Sequence, residues 1–160
     1  MDVMVYAALC QEKQEHDAAY ALLRYAVKRL FDLPELPEIV KEEKGKPYFP
    51  QYSQICFNLS HSYGAVVCAV HDRPIGVDVE KVRPAPRRLA KDMGDTDFFL
   101  LWTAMEATIK RDGQGWSSLP ARPEPDALCR CSENLLPGWI ITVCPSEEEN
   151  IRWEWIEHLA

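Results

Sequence analysis

The sequence predicts an α+β fold in which a strand followed by a long amphipathic helix occurs twice. The first strand and helix lie between Val3 and Phe31, and the second pair lies between Ile75 and Arg111. The strand candidates are rich in β-branched residues, whereas the helix candidates repeat apolar residues at intervals of three and four. The 160 residues can bury a core without disulfides. We therefore expect one compact unit with an N-terminal half, residues 1–74, and a C-terminal half, residues 75–160.

The N-terminal half begins with a predicted strand at residues 3–9 and a helix at residues 16–31, which the prolines at 34 and 37 end. Two further strands are predicted at residues 55–60 and 65–71, where β-branched and apolar residues predominate. The turn at Asp72-Arg73-Pro74 then leads into the strand of Asp78 and Glu80. This turn predicts that the last two strands form an antiparallel hairpin.

The C-terminal half continues with a helix that Asp95 or Thr96 is expected to cap and that ends near Gly113. Residues 117–137 are rich in proline and predict irregular structure. Residues 139–144 predict a closing strand, and residues 151–156 predict a last one.

Composition restricts the function. The net charge of −7 argues against a nucleic-acid partner, because binding a phosphate backbone needs a basic surface. No apolar run approaches the roughly 18 residues that a membrane helix needs, and the first residues do not have the pattern of a signal peptide. A cytoplasmic protein without a membrane partner is expected. The six cysteines form no Cys-x-x-Cys pair, which favours reduced structural thiols.

A cluster of acidic residues predicts a metal site. Residues two apart on a strand share a face, so Asp78 and Glu80 would lie side by side while Val77 and Val79 enter the core. In the next helix, Glu106 and Lys110 are one turn apart and share a face as well. Three carboxylates suit Mg²⁺, and a lysine can neutralise a phosphate, so the expected chemistry is metal-dependent phosphoryl transfer.

Five motifs occur in a specific order between Gly45 and Gly115. They are Gly45-Lys46-Pro47-Tyr48-Phe49, Phe57-Asn58-Leu59-Ser60-His61-Ser62, Ile75-Gly76-Val77-Asp78-Val79-Glu80, Trp102-Thr103-Ala104-Met105-Glu106-Ala107-Thr108-Ile109-Lys110 and Asp112-Gly113-Gln114-Gly115. In this order and spacing the sequence resembles the 4′-phosphopantetheinyl transferases of the Sfp type, which activate surfactin synthetase and similar enzymes.

The resemblance implies a pseudo-dimer of two strand-helix halves with antiparallel sheets and with coenzyme A in the cleft between them. It implies transfer of the 4′-phosphopantetheine arm of coenzyme A to a serine of an apo acyl or peptidyl carrier protein, which releases adenosine 3′,5′-bisphosphate. By the same resemblance, Asp78, Glu80 and Glu106 hold Mg²⁺, Glu106 is the base and Lys110 neutralises the leaving phosphate. The residues implied for coenzyme binding are Lys46, Ser60 and His61.

The chain departs from the family pattern in its first half. Sfp-type members usually exceed 200 residues, and most of the missing length falls around the first helix. The family helix has an arginine in Asp-Ala-x-Arg that contacts the 3′-phosphate, whereas Asp17-Ala18-Ala19-Tyr20 has tyrosine there. This difference predicts weak recognition of the 3′-phosphate unless Lys13 or Arg24 substitutes, so dephospho-coenzyme A should serve nearly as well as coenzyme A.

A basic cluster, here defined as Lys81, Arg83, Arg87, Arg88 and Lys91, follows the acidic strand. It is either a solvated helix face or a docking surface for an acidic carrier-protein helix. The chain is too long for the short, trimeric holo-carrier synthases, and its repeated halves favour a monomer. The alternative function is a degenerate family member that binds a carrier protein or coenzyme A without catalysis.

Overall fold

Strands and helices alternate through the computed structural model, which describes residues 1–115 and 124–159. The helices are α1 (Glu15–Phe31), the short α2 (Arg87–Ala90) and α3 (Asp95–Asp112), and one 3₁₀ turn (Glu12–Gln14) precedes α1. The strands are β1 (Val3–Leu9), β2 (Val40–Lys41), β3 (Pro47–Tyr48), β4 (Cys56–Ser62), β5 (Ala65–His71), β6 (Gly76–Lys81), β7 (Arg130–Ser132), β8 (Trp139–Cys144) and β9 (Ile151–Trp155). The predicted α+β class is confirmed.

The first sheet has the strand order β4-β5-β1-β9. Its β4–β5 and β5–β1 pairs are antiparallel, whereas β9 pairs with β1 in parallel. Helix α1 covers one face with Leu22, Leu23 and Val27, which are fully buried against Tyr6 of β1. The apolar stripe that the sequence shows at helical spacing is therefore the stripe that packs on the sheet.

The second sheet has the order β6-β8-β7 and is antiparallel. Its apolar face, which includes Val77 and Val79, packs against Val67 and Ala69 of β5. Helix α3 covers the opposite face, along β6 and β8. The order of layers is thus α1, first sheet, second sheet and α3. Every residue of β5 is buried, because that strand has the α1 core on one side and the second sheet on the other.

The predicted hairpin between β5 and β6 is wrong. Both edges of β5 are occupied by β4 and β1, so the chain after Asp72 leaves that sheet, and β6 pairs with β8 instead. The turn signal identified a change of direction correctly, but it does not determine which strand becomes the partner. The expected antiparallel sheets are found except for the parallel β1–β9 pair.

The ends of α3 were predicted with mixed success. The helix ends before Gly113, whose φ of 70° closes the last turn, as expected. The predicted cap by Asp95 or Thr96 is wrong, because Gly94 is the N-cap. The Asp95 carboxylate instead accepts hydrogen bonds from the Ala85 amide and from Arg87. Asp95 thus ties the start of α3 to the preceding loop and does not cap the helix.

Of the residues 117–137, predicted to be irregular, residues 117–123 lie outside the described part. The remainder contains the strand β7, which corrects that prediction. Within residues 1–115 and 124–159, no helix is long and apolar enough to cross a membrane. All six cysteines are free thiols, and Cys68 and Cys144 are buried.

Candidate functional site

The acidic strand β6 has the predicted alternation. Asp78 and Glu80 lie on the face toward α3, while Val77 and Val79 are fully buried between the sheets. Asp78 is only 7% exposed, and Glu80 is partly exposed. Two carboxylates are therefore fixed side by side under the helix that carries Glu106 and Lys110.

Gly76 allows α3 to lie this close to β6. A Cβ atom at this position would be 1.9 Å from the Ala107 carbonyl oxygen and 2.5 Å from the Arg111 amide nitrogen. No side chain fits between these two backbones, so the glycine of the Gly-x-Asp-x-Glu motif is required for packing rather than for a turn.

Lys110 reaches from α3 to the boundary between the two sheets. Its Nζ donates to the carbonyl oxygens of Leu59 in β4 and Val77 in β6, both at 2.7 Å. Burial lowers the pKa of this ammonium, and the negative charges of Asp78, Glu106 and Glu80 oppose that shift. An ammonium has three N–H donors, and these two bonds use two of them. Lys110 thus links the halves of the fold and borders the acidic cluster.

The Asp78 carboxylate is poorly compensated. Ser60 Oγ donates to Oδ1 at 3.1 Å, whereas Oδ2 is buried without a partner among residues 1–115 and 124–159. Burial raises the pKa of Asp78, Lys110 lowers it, and the negative charges of Glu80 and Glu106 raise it further. An unpartnered carboxylate oxygen beside two further carboxylates is the environment that a bound cation would relieve.

Glu80 is held by neighbours on its own side of the site. Arg83 Nη1 donates to its Oε2 at 2.9 Å, and Ser62 Oγ donates to the same atom at 3.3 Å. Over the described ranges, no three His, Cys, Asp or Glu side chains are grouped closely enough to hold a metal ion as they stand. The donors suit Mg²⁺ by chemistry, although Oε2 of Glu80 is taken by Arg83 and Ser62 in this structure.

A cavity of about 400 Å³ opens beside this cluster between α1 and α3. Residues of both halves line it, including Tyr20 of α1, Lys46 and His61 of the first half, and Glu106 and Lys110 of α3. The cavity therefore joins the predicted coenzyme-binding residues Lys46 and His61 to the predicted catalytic pair. Tyr20 contacts the ring of His16, with 5.0 Å between the ring centroids.

The three predicted coenzyme residues have different surroundings. Lys46 lines the cavity, and its Nζ donates to Arg111 O at 2.8 Å and to Ile75 O at 3.2 Å. Burial lowers the pKa of this ammonium. Ser60 is buried and bonds to β6, and it is not among the residues that line the cavity. His61 lines the cavity and is half exposed.

Glu15 is a site residue that the sequence did not reveal. One of its oxygens accepts from the Gly64 amide at 2.6 Å, and the other pairs with His61 Nδ1. This carboxylate, at the start of α1, thereby fixes the turn after β4 and the orientation of the His61 ring. The sequence offers only an acidic residue at a helix N-terminus, where such residues are common for electrostatic reasons.

The basic cluster is not uniformly available to a partner. Arg83 bonds to Glu80 and lies over the rings of Phe99 and Tyr63, at 4.6 and 4.8 Å from their centroids. Arg87 bonds to Asp95 and to backbone carbonyls of its own loop. Arg87 is nevertheless exposed, as are Arg88 and Lys91. Lys81 lies 5.3 Å from the centroid of Trp139.

Comparison with known proteins decides the family. No protein-family model matches the chain. The chain is 34% identical to the 4′-phosphopantetheinyl transferase psf-1 of Bacillus pumilus over 167 aligned positions, which cover 81% of this chain and 71% of that protein. The chain belongs to the 4′-phosphopantetheinyl transferase family. The resemblance drawn from the five motifs is thereby confirmed.

Other transferases of this family match in part. A 4′-phosphopantetheinyl transferase of Bacillus subtilis is 37% identical over 92 residues, 48% of this chain and 41% of that protein. The transferase AcpT of Salmonella typhi is 34% identical over 132 residues, 70% of this chain and 69% of that protein. The chain therefore spans between about two fifths and seven tenths of the lengths of the transferases named here.

Proposed function

We propose that this chain transfers the 4′-phosphopantetheine arm of coenzyme A to a serine of an apo acyl or peptidyl carrier protein. The observation that supports this most is the joint position of the acidic cluster and the cavity. Glu106 and Lys110 line a cleft that both halves of the fold border, and their charges act on Asp78, which lies next to Glu80 on β6. Membership in the transferase family supports the same reaction.

The proposed metal ligands are Asp78, Glu80 and Glu106, which would hold Mg²⁺ through carboxylate oxygens. When bound, Mg²⁺ neutralises charge on the pyrophosphate of coenzyme A. Asp78 offers Oδ2, the oxygen without a partner in the described part of the chain. Glu80 offers Oε1, the oxygen that carries neither the Arg83 nor the Ser62 bond, and Glu106 lines the cavity from α3.

The remaining steps fall to groups of the chain itself. Glu106 lines the cavity and is the proposed base for the serine hydroxyl of the carrier protein. Lys110 borders the same space, and its remaining N–H can stabilise negative charge on the leaving phosphate. His61, with Nδ1 held by Glu15, and Lys46 are proposed to contact coenzyme A, because both line the cavity. Arg87, Arg88 and Lys91 are exposed and, with the partly buried Arg83, are proposed to supply the positive charge for carrier docking.

One observation favours the alternative, a degenerate member that binds coenzyme A or a carrier protein without catalysis. Glu80 is occupied by Arg83 and Ser62, and no ready metal cluster is grouped among the described residues. If the bond to Arg83 holds Glu80 apart from the other two carboxylates, the third carboxylate ligand is missing.

Intact-mass spectrometry of apo carrier proteins incubated with the protein, coenzyme A and Mg²⁺ tests the proposal. A gain of one phosphopantetheine arm that a chelator suppresses is expected, and Asp78→Ala should abolish it. Glu157→Ala, which removes an exposed carboxylate, is the matched control and should retain transfer. Absence of transfer to every carrier by a folded protein that still binds coenzyme A would support the degenerate alternative.

A further inference from the structure

Alternate side chains of β4 bind the free edge of β6. Strand β4 is the edge of the first sheet, and β6 is the edge of the second. The two strands are not joined by a backbone ladder. Side chains of β4 instead accept hydrogen bonds from backbone N–H groups of β6. The acceptors are Asn58 Oδ1, Ser60 Oγ and Ser62 Oγ, and the donors are the amides of residues 77, 79 and 81, at 2.9, 3.1 and 3.3 Å.

The two serines in this series make a second contact. Ser60 Oγ donates to Asp78 Oδ1 at 3.1 Å, and Ser62 Oγ donates to Glu80 Oε2 at 3.3 Å. A hydroxyl has one proton and two lone pairs, so it can accept from an amide and donate to a carboxylate at once. Each serine therefore joins one carboxylate of β6 to the amide of the residue that follows it.

Asn58 shows the same backbone contact without the carboxylate. It accepts from the amide of Val77, and the residue before Val77 is Gly76, which has no side chain. The three side chains thus separate two roles. All three fasten β6 to β4, but only Ser60 and Ser62 touch an acidic side chain of the cluster.

We propose that Ser60 and Ser62 are positioning residues that orient the carboxylates of Asp78 and Glu80 for a divalent cation. This inference rests on the proposed metal site. Two neighbouring carboxylates repel each other, and a hydrogen bond to one oxygen of each limits their rotation away from the site. The bonds end on Oδ1 of Asp78 and on Oε2 of Glu80, so the opposite oxygen of each carboxylate carries neither serine bond.

Binding of Mn²⁺, followed by the electron paramagnetic resonance signal of the free ion, tests the role without coenzyme A or carrier protein. Ser60→Ala and Ser62→Ala should each weaken Mn²⁺ binding about tenfold, because groups that orient metal ligands commonly contribute 10- to 100-fold in affinity. Asn58→Ala is the matched control. It loses one bond between β4 and β6, and its Mn²⁺ affinity should stay within about twofold of the unsubstituted protein.

Ser60→Thr keeps the hydroxyl and should restore most of the affinity that Ser60→Ala loses. If Ser60→Ala does not fold, Ser62→Ala at the end of β4 and Ser60→Thr still decide the question. An equal loss of affinity in Asn58→Ala and the serine variants would overturn the positioning role, and so would unchanged affinity in both alanine variants. Failure of the unsubstituted protein to bind Mn²⁺ would overturn the metal site itself, and this proposal with it.

Discussion

Replacement of Gly76 by alanine should strongly destabilise the fold. The added Cβ would be 1.9 Å from the Ala107 carbonyl oxygen, whereas ordinary van der Waals contact begins near 3.4 Å. The position of a Cβ is fixed by its own backbone and the Ala107 oxygen is a backbone atom, so no side-chain rotation relieves the clash. Helix α3 must therefore retreat from β6 by about 1.5 Å, the difference between the two distances.

The cost can be scaled from what that movement disrupts. Overpacking of a core by one methyl group costs about 1–3 kcal/mol even when side chains can adjust. Here the movement also stretches the 2.7 Å bond from Lys110 Nζ to Val77 O. We expect Gly76→Ala to lower the free energy of unfolding by about 3 kcal/mol or more. With a urea dependence of about 2 kcal/mol per molar, the midpoint should fall by about 1.5 M.

Urea unfolding followed by tryptophan fluorescence measures this loss. Gly94→Ala is the matched control, because Gly94 has a φ of −65° and its added Cβ would be 3.9 Å from the nearest atom, Asp97 Oδ2. At this N-cap position the exchange should cost less than about 1 kcal/mol. A Gly76→Ala protein within 1 kcal/mol of the unsubstituted protein would refute the close approach of α3 to β6.

Three further predictions concern the cavity and the thiols. Lys46→Met removes two hydrogen bonds to backbone carbonyls and should lower the free energy of unfolding by about 1–3 kcal/mol in the absence of coenzyme A. Lys44→Met, at an exposed position, is the control and should not lower it. Equal unfolding midpoints for the two variants would contradict this. A hydrogen bond from Cys144 lowers the pKa of Cys129 to about 7. The rate at which Cys129 is alkylated, measured by peptide mass spectrometry, should therefore rise as the pH increases through about 7. Burial raises the pKa of Cys131, so Cys131 should be alkylated only at higher pH. Identical dependence of the alkylation rate on pH for Cys129 and Cys131 would be contrary to expectation. Because Tyr20 replaces the arginine of the family pattern, we expect similar kcat/KM for coenzyme A and its dephospho form. A strong preference for coenzyme A would disprove this expectation.

The sequence predicted the identity of the main elements better than their partners. The bounds of β1, β5 and β8 match the predicted residues, because the apolar pattern of a strand is local and is visible along the chain. The β5–β6 hairpin was wrong because pairing depends on which sheet edge is open, and β1 had already taken that edge of β5. Pairing between distant segments leaves no such local pattern.

Part of the geometry of the candidate site could be predicted from the sequence, but its contacts could not. The alternation of Asp78 and Glu80 with buried valines followed from strand geometry and is confirmed. The side chain of Ser60 points toward β6 because of the way the two sheets pack together. The sequence of β4 alone does not reveal that packing. The roles assigned to Mg²⁺ and coenzyme A, the carrier docking surface, the monomeric state and the cytoplasmic location stay predictions.

The parallel β1–β9 pair affects how the chain can fold. Val3 pairs with Ile151, so the first strand of the N-terminal sheet finds one neighbour almost 150 residues later. Contacts between such distant segments slow folding, because a long loop must close before they form. On a ribosome, β1 keeps one edge unpaired until residues 151–155 have emerged. The first half therefore acquires its complete sheet only after the acidic strand and α3 have been synthesised.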